Sequence, residues 1–177
     1  MLCVDHVNLE NRRKHAKHPG TQTLTTSRPL ELLHLDLISP TRIESLGGKR
    51  NIMVVVDDFT RYTWVILLRS KSDAQEHIEA LCTRLQNEKN LKIDRICSDH
   101  GKEFKNSYTE SFCTRSGISQ EFFTPITPQQ NGIVKRKNRV IQEIARAMLH
   151  NKDVVKNLWG EAINTVCHTV NRVYFRL

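Results

Sequence analysis

Three apolar segments joined by short turns most constrain what this chain can fold into. They span residues 30–40, 51–58 and 62–69, and the second and third are rich in β-branched or aromatic side chains. Gly47 and Gly48 mark the first turn, and the second connection, Phe-Thr-Arg, is very short. Connections this short join antiparallel neighbours, whereas a parallel crossover needs a dozen or more residues. The sequence therefore predicts an antiparallel meander at this end of the fold.

A helix is predicted next, because the spacing of the apolar residues changes. It begins at Ser72, interpreted as the start of a capping box with Gln75, and runs to about Asn87. The apolar positions at helical spacing are Ile78, Leu81, Cys82 and Leu85. Two more strands are predicted at residues 91–97 and 118–123. A short helix between them, ending at Gly117, has its apolar side formed by Phe104, Tyr108 and Phe112.

Two helices are predicted after a loop over residues 124–132, which is rich in Pro, Gln and Gly. The apolar stripe of the first consists of Ile141, Ile144, Ala145 and Met148. The core-facing positions of the second are Trp159, Ala162, Ile163, Val166 and Val170. The order βββαβαβαα predicts an α/β fold with a five-stranded mixed sheet flanked by helices.

Length and composition favour one folded domain that has an anionic partner. A chain of 177 residues suffices for one core, and the net charge of +8 favours a partner such as nucleic acid. The five scattered cysteines indicate reduced thiols of an intracellular protein. No apolar run is long enough for a membrane span, so no membrane partner is expected. Residues 1–28 are polar and basic and are interpreted as a tail or linker before the core at 29–177.

Two aspartates stand at the ends of predicted neighbouring strands. Asp36 lies near the end of the first strand, and Asp99 lies just past the end of the fourth. Adjacent strands are roughly 5 Å apart, so two carboxylates placed there can share a metal ion. The alternative for either residue alone is an aspartate that serves a turn or a cap.

Four blocks of the sequence resemble successive blocks of copia-type retrotransposon integrase catalytic cores, in order and in spacing. The blocks are LELLHLDLISPTRIESLGGKR, VVVDDFTRYTWV, ICSDHGKEF and TPQQNGIVKRKNRVIQEIARAML. The resemblance covers roughly residues 26–175. It implies a retroviral-integrase-like, RNase H-like fold in which two aspartates and a glutamate hold Mg²⁺ (or Mn²⁺) for phosphoryl transfer on DNA.

The resemblance implies that Asp36 and Asp99 are catalytic residues and metal ligands, but it places Lys135 where the third carboxylate belongs. The spacing from Asp99 is that of the family, so the lysine occupies the catalytic position. Glu143, the nearest downstream glutamate, lies about 12 Å further along a helix and is not expected to replace it. A positive charge there should weaken metal binding severely, so an inactive enzyme is expected.

A basic stripe is predicted on the first of the two final helices. At about 100° per residue, Lys135, Arg139, Gln142 and Arg146 share one side of the helix. The alternative is an ordinary solvated basic face that has no binding role. With the resemblance, the residues expected to contact nucleic acid are Lys135, Lys137, Arg139, Arg146, Asn131 and Gly132.

Other polar residues near the catalytic positions are given structural roles. Asp57 and Asp58 are expected to serve the tight turn through Thr60 and Arg61, outside the catalytic set. His34 and His100, which flank the catalytic aspartates, are expected to be polar neighbours, because Mg²⁺ prefers oxygen ligands.

Family relatives carry a zinc-binding module before the core, and residues 1–28 hold only a remnant of it. Cys3 and His6 stand where a Cys-x-x-Cys pair is expected, and the upstream histidine pair is missing from the sequence given. No zinc is expected, although His6, His15 and His18 could supply ligands.

The leading hypothesis is an integrase core, evolved for DNA integration and now inactive, with element ends and target DNA as partners. A homo-oligomer and, if the protein is expressed, a nuclear location follow from the family. The alternatives are a non-enzymatic nucleic-acid-binding module derived from an integrase, or a relic without function.

Overall fold

The computed structural model describes residues 26–38, 41–123, 128–151 and 154–175. The strands are β1 Leu32–Ile38, β2 Asn51–Asp57, β3 Thr63–Leu68, β4 Arg95–Ser98 and β5 Ser119–Phe122. The α-helices are α1 Ala74–Lys89, α2 Ser107–Ser116, α3 Pro128–Asn151 and α4 Trp159–Phe175. The predicted order βββαβαβαα is confirmed.

The five strands form one mixed sheet in the order β3-β2-β1-β4-β5. The short turns join β1, β2 and β3 as antiparallel neighbours. β4 is parallel to both β1 and β5, because α1 and α2 return the chain to the same edge before each new strand. The central strand β1 is therefore antiparallel to β2 on one side and parallel to β4 on the other.

Helices cover both faces of the sheet, and the alternation of side chains along β1 assigns each residue to one face. Leu33 and Leu35 pack into the core formed with α1 and α2. Leu32 packs into the core formed with α3 and α4. Because side chains alternate along a strand, His34 and Asp36 are on the same face as Leu32. Asp36 thus projects from the sheet toward α3 and α4.

Two predicted helix starts are wrong. The capping box is formed two residues earlier than predicted, by Ser70 and Asp73 around a short 3₁₀ turn, and α1 itself begins at Ala74. The helix α3 begins at Pro128, inside the predicted loop 124–132. Proline is well tolerated at the first helical position because its missing N–H has no intrahelical partner there.

Three predicted core positions are exposed. Tyr108 is 43% exposed, and its hydroxyl donates to Glu79 on α1. Ile144 and Met148 are 41% and 39% exposed, while Ile141 and Ala145 on the same helix are buried. The reason is geometric: α3 contacts the sheet through one narrow strip, and Ile144 and Met148 line an open apolar groove beside α4. The predicted core positions of α4 are all buried.

The chain just before β1 is attached to the core. Thr26 donates its hydroxyl to Asp58 over 2.9 Å, and Arg28 forms an ion pair of 2.6 Å with Asp94. Residues 1–25, which include Cys3, His6, His15 and His18, lie outside the described residues. The other four cysteines are buried and form no disulfides. Within the part of the chain described, no helix has both the length and the apolar character needed to cross a membrane.

Candidate functional site

The parallel pairing of β1 and β4 brings Asp36 and Asp99 together. Leu32 is level with Arg95 and His34 with Cys97, so the same register places Asp36 level with Asp99 on the same face of the sheet. Burial and the charge of Asp99 raise the pKa of Asp36. The two carboxylates therefore interact at one edge of the sheet, as predicted.

A tight loop after β4 holds Asp99. The Asp99 carboxylate accepts a hydrogen bond from the backbone N–H of Gly101 over 3.0 Å. A Cβ at residue 101 would lie 2.9 Å from Asp99 Oδ1 and 2.8 Å from Glu103 Oε2, closer than real Cβ contacts allow. A larger residue at position 101 would therefore require the side chains of Asp99 and Glu103 to shift.

Asn138 on α3 positions Asp36, a role that the sequence reasoning missed. Its side-chain Nδ2 donates to Asp36 Oδ2 over 2.5 Å, and the residue is 5% exposed. Its Oδ1 is buried and has no hydrogen-bond partner in the described part of the chain. The available signal was spacing, because a residue three positions from Lys135 lies on the same side of a helix.

Lys135 lies beside Asp36. It is exposed, and together with Asp36 it lines an open pocket of about 260 Å³. Its positive charge lowers the pKa of Asp36, against the larger raising effects of burial and Asp99. The other residues that line the pocket are Ile38, Asn138, Arg139, Gln142, Glu143 and Arg146.

Three of the six residues predicted to contact nucleic acid, Lys135, Arg139 and Arg146, line this pocket. Arg139 and Arg146 line it, as does Glu143, although that residue lies about 12 Å along the helix from Lys135. Lys137 is half-buried, and its charge acts on Cys167 of α4, so it lies on the α4 side of the helix. Gly132 lies in the first turns of α3.

The side chain of Asn131 lies outside the described residues.

Asp57 and Asp58 lie at the other end of β1 from Asp36 and hold the turn after β2, as predicted. Asp57 accepts hydrogen bonds from the backbone of Leu30 over 2.8 Å and from both the N–H and the hydroxyl of Thr60. Burial raises the pKa of Asp57. The carboxylate is thus satisfied by the turn and by the chain that enters β1.

Asp58 is 1% exposed and is the centre of a buried network. It pairs with His34 Nε2 at 3.0 Å and with Arg61 at 3.1 Å, and it also accepts from Thr26. Burial opposes its ionisation, but the hydrogen bonds from His34 and Thr26 and the charge of Arg61 lower its pKa to about 2. His34 is therefore a polar residue of this network, with Asp58 as a partner that the sequence reasoning did not name.

The donor set of Asp36 and Asp99 is of the kind that magnesium prefers. Carboxylate oxygens are preferred Mg²⁺ ligands, and one or two protein carboxylates with water are a common arrangement. The interaction between Asp36 and Asp99 supplies two such groups. Among the described residues, no three His, Cys, Asp or Glu side chains are grouped closely enough to hold a metal ion. Asp36 and Asp99 are thus the residues that could hold a metal ion, and Lys135 is a positive charge beside them.

One family model and two plant transposon polyproteins are similar to this chain. The integrase core domain family matches residues 26–128. The chain is 36% identical over 81% of its length to the retrovirus-related Pol polyprotein from transposon TNT 1-94 of Nicotiana tabacum. It is 31% identical over 91% of its length to that from transposon RE2 of Arabidopsis thaliana. The chain spans only 11% of the length of each of these relatives.

Solved structures show the same fold. The HTLV-2 integrase catalytic core domain in complex with magnesium, in its dimeric form, has a TM-score of 0.59 at 23% identity, and the match covers 82% of this chain and 88% of that one. A chain of the simian T-cell lymphotropic virus intasome with PP2A regulatory subunit B56 gamma has a TM-score of 0.65 at 16% identity, over 82% of this chain and 49% of that one. The fold is thus RNase H-like, and this chain belongs to the integrase core domain family that occurs in the Pol polyproteins of retrotransposons.

Proposed function

We propose that this chain is the core of a copia-type integrase that binds DNA but does not catalyse strand transfer, because Lys135 stands in place of the third catalytic carboxylate. The observation that carries the proposal is that Lys135 and Asp36 line one pocket. The lysine charge already acts on Asp36 without a metal ion. A positive charge therefore stands where a divalent cation would need a third anionic ligand.

Each residue of the pocket has a distinct part in this proposal. Asp36 and Asp99 would hold Mg²⁺, and Asn138 keeps the Asp36 carboxylate in place. When bound, the metal ion would activate the attacking oxygen and stabilise the leaving oxygen in phosphoryl transfer. Lys135 repels that ion and adds no ligand to it.

The basic side chains of α3 support DNA as the partner. Lys135, Arg139 and Arg146 line the same open pocket, and the whole chain carries a net charge of +8. Clustered cations on one face bind the DNA backbone with little sequence preference. The same features favour the second candidate, a DNA-binding module that no longer needs a metal ion.

We expect DNA affinity to fall steeply as salt is raised from 50 to 200 mM, because bound phosphates release counterions. Arg139→Gln should reduce the slope of log affinity against log salt by about one, the amount expected for one lost phosphate contact. Lys92→Gln, which removes an exposed charge from the loop before β4, is the matched control and should leave the slope unchanged. Affinity that does not change with salt would contradict phosphate recognition.

A strand-transfer assay with Mg²⁺ or Mn²⁺ separates the two candidates from an active enzyme. We expect no product from the wild-type chain at protein concentrations that saturate the DNA. Product formation would contradict the proposed inactivity, while leaving DNA binding intact. The remaining family properties, assembly into a homo-oligomer and a nuclear location, belong to the same proposal.

Residues 1–28 are proposed to bind no zinc stoichiometrically, because His6 stands where the resemblance implies the second cysteine of a Cys-x-x-Cys pair. Metal analysis of the purified protein should give far less than one zinc ion per chain. One tightly bound zinc ion per chain that is lost in the Cys3→Ser, His6→Ala variant would overturn this part of the proposal.

A further inference from the structure

Lys135 is a primary amine in a pocket that lacks a third metal ligand. It lines the open pocket together with Asp36, and its charge acts on the Asp36 carboxylate. Asp36 also interacts with Asp99. Glu143 lines the same pocket, but within the described part of the chain no three acidic, histidine or cysteine side chains are grouped closely enough to hold a metal ion. The amine therefore stands beside two carboxylates to which one more anionic ligand would add metal affinity.

The amine of Lys135 is open to small reagents, because its side chain is exposed. An uncharged lysine amine is a nucleophile toward an electrophilic carbonyl carbon, and dissolved carbon dioxide offers such a carbon. The ammonium gives one proton to water, the Nζ lone pair forms a bond to the carbon of CO₂, and one C–O π bond becomes a carboxylate oxygen. The second proton also leaves to water. The product is a carbamate, and no oxidant or reductant takes part.

Carboxylation would convert Lys135 from a cation into a carboxylate. The change from a positive to a negative charge would replace repulsion of a divalent cation by attraction. Carboxylate oxygens are the ligands that Mg²⁺ prefers. A carbamate side chain is longer than a glutamate side chain, but the flexible stem of an exposed lysine can bend toward Asp36. Arg139 and Arg146 line the same pocket and would offset part of the added negative charge.

We propose that Lys135 is a site of reversible carboxylation by carbon dioxide, and that its carbamate serves as the third carboxylate of a Mg²⁺ site with Asp36 and Asp99. The inference rests on the proposed function, because it takes the free amine of Lys135 as the cause of weak metal binding. Without Mg²⁺, the carbamate would be a third negative charge beside two carboxylates. Without the carbamate, the ammonium repels Mg²⁺. Carbon dioxide and Mg²⁺ therefore strengthen each other's binding by the same factor.

The test is thermal unfolding of the wild-type protein with Mg²⁺, with bicarbonate, with both and with neither. The pH, the ionic strength and the concentration of free Mg²⁺ are held constant, and sodium chloride replaces bicarbonate in the CO₂-free buffers. We expect the Tm to rise by about 3 °C or more with both together, and by much less with either alone. Equal Tm values in Mg²⁺ with and without bicarbonate would overturn the inference.

Two substitutions of the same residue assign the effect to Lys135. Lys135→Arg keeps the positive charge, but a guanidinium does not lose its proton in proteins, so bicarbonate should no longer raise the Tm in Mg²⁺. Lys135→Glu carries its carboxylate permanently and should respond to Mg²⁺ equally with and without bicarbonate. A bicarbonate effect that persists in Lys135→Arg would place the reaction at another group and overturn the inference. The comparison on wild-type protein needs no variant.

NMR with ¹³C-labelled bicarbonate detects the carbamate itself. We expect a carbamate carbon resonance from the wild-type protein that grows when Mg²⁺ is added and is missing from Lys135→Arg. Spectra of the two proteins that show the same carbamate resonances in Mg²⁺ would exclude Lys135 as the site.

The CO₂-free buffers keep this inference distinct from the proposed function. A wild-type protein that is stabilised by Mg²⁺ in CO₂-free buffer as strongly as Lys135→Glu would overturn the proposed function, because the free amine would then not block the metal ion. Loss of the bicarbonate effect alone would overturn the carboxylation of Lys135 and leave the proposed function in place.

Discussion

Lys135→Glu is expected to make the stability of this protein depend on Mg²⁺. The substitution places a third carboxylate in the pocket that Asp36 lines, where a lysine now stands. Without metal, the added negative charge should destabilise the fold, because burial and Asp99 already disfavour ionisation of Asp36. With Mg²⁺ at about 100 times its Kd, binding would stabilise the variant by about 2.7 kcal/mol. For a domain of this size that corresponds to a rise in Tm of about 5–10 °C.

The measurement is thermal unfolding of both proteins with and without Mg²⁺, followed by a strand-transfer assay. We expect a Tm increase in the variant that is much larger than in wild type, and some strand transfer by the variant alone. Arg136→Glu is the matched control, because it makes the same charge change on an exposed neighbouring residue of α3 that lies outside the described pocket lining. Equal Mg²⁺ responses in wild type and Lys135→Glu would show that charge at position 135 does not control the site.

Asp58→Asn is expected to lower the free energy of unfolding by about 3 kcal/mol at neutral pH. The Asp58 pKa falls from 3.8 to about 2 in the folded protein, and each pKa unit is worth about 1.4 kcal/mol. The variant also leaves His34 and Arg61 without their buried anion, which adds to the loss. The Tm should fall by about 6–12 °C. This experiment measures stability alone, and it does not involve Asp36, which lies at the other end of β1.

The pH dependence gives a second readout of Asp58. A carboxylate whose pKa is depressed by folding stabilises the protein above its unfolded pKa, and this contribution is lost as the pH falls through its folded pKa. The difference between wild type and Asp58→Asn should therefore be full above about pH 5 and shrink toward pH 2. Asp94→Asn is the control, because Asp94 forms one exposed ion pair with Arg28, and its loss should cost at most about 1 kcal/mol. A constant difference across this range would exclude ionised Asp58 as the source of the stability.

Periodicity and turn length alone were sufficient to predict the element order and the edge at which Asp36 and Asp99 meet. These features are local: the connection length decides whether neighbouring strands are antiparallel, and the strand period decides which face a side chain takes. The same reasoning placed Asp57 and Asp58 in a turn. The placement of Lys135 at the family's glutamate position is a proposal that the resemblance implies.

Only the tertiary structure decided which side chains complete the site. Asn138 contacts Asp36 across 102 positions of sequence, and a helix wheel does not distinguish it from its polar neighbours. Ile144 and Met148 have the spacing of core residues and yet are partly exposed, because they line an open groove beside α4. The stacking of His100 on Phe122 joins residues of two strand ends. The physical reason is common to all three: periodicity determines the direction of a side chain from its own element, whereas its partner depends on how separate elements pack.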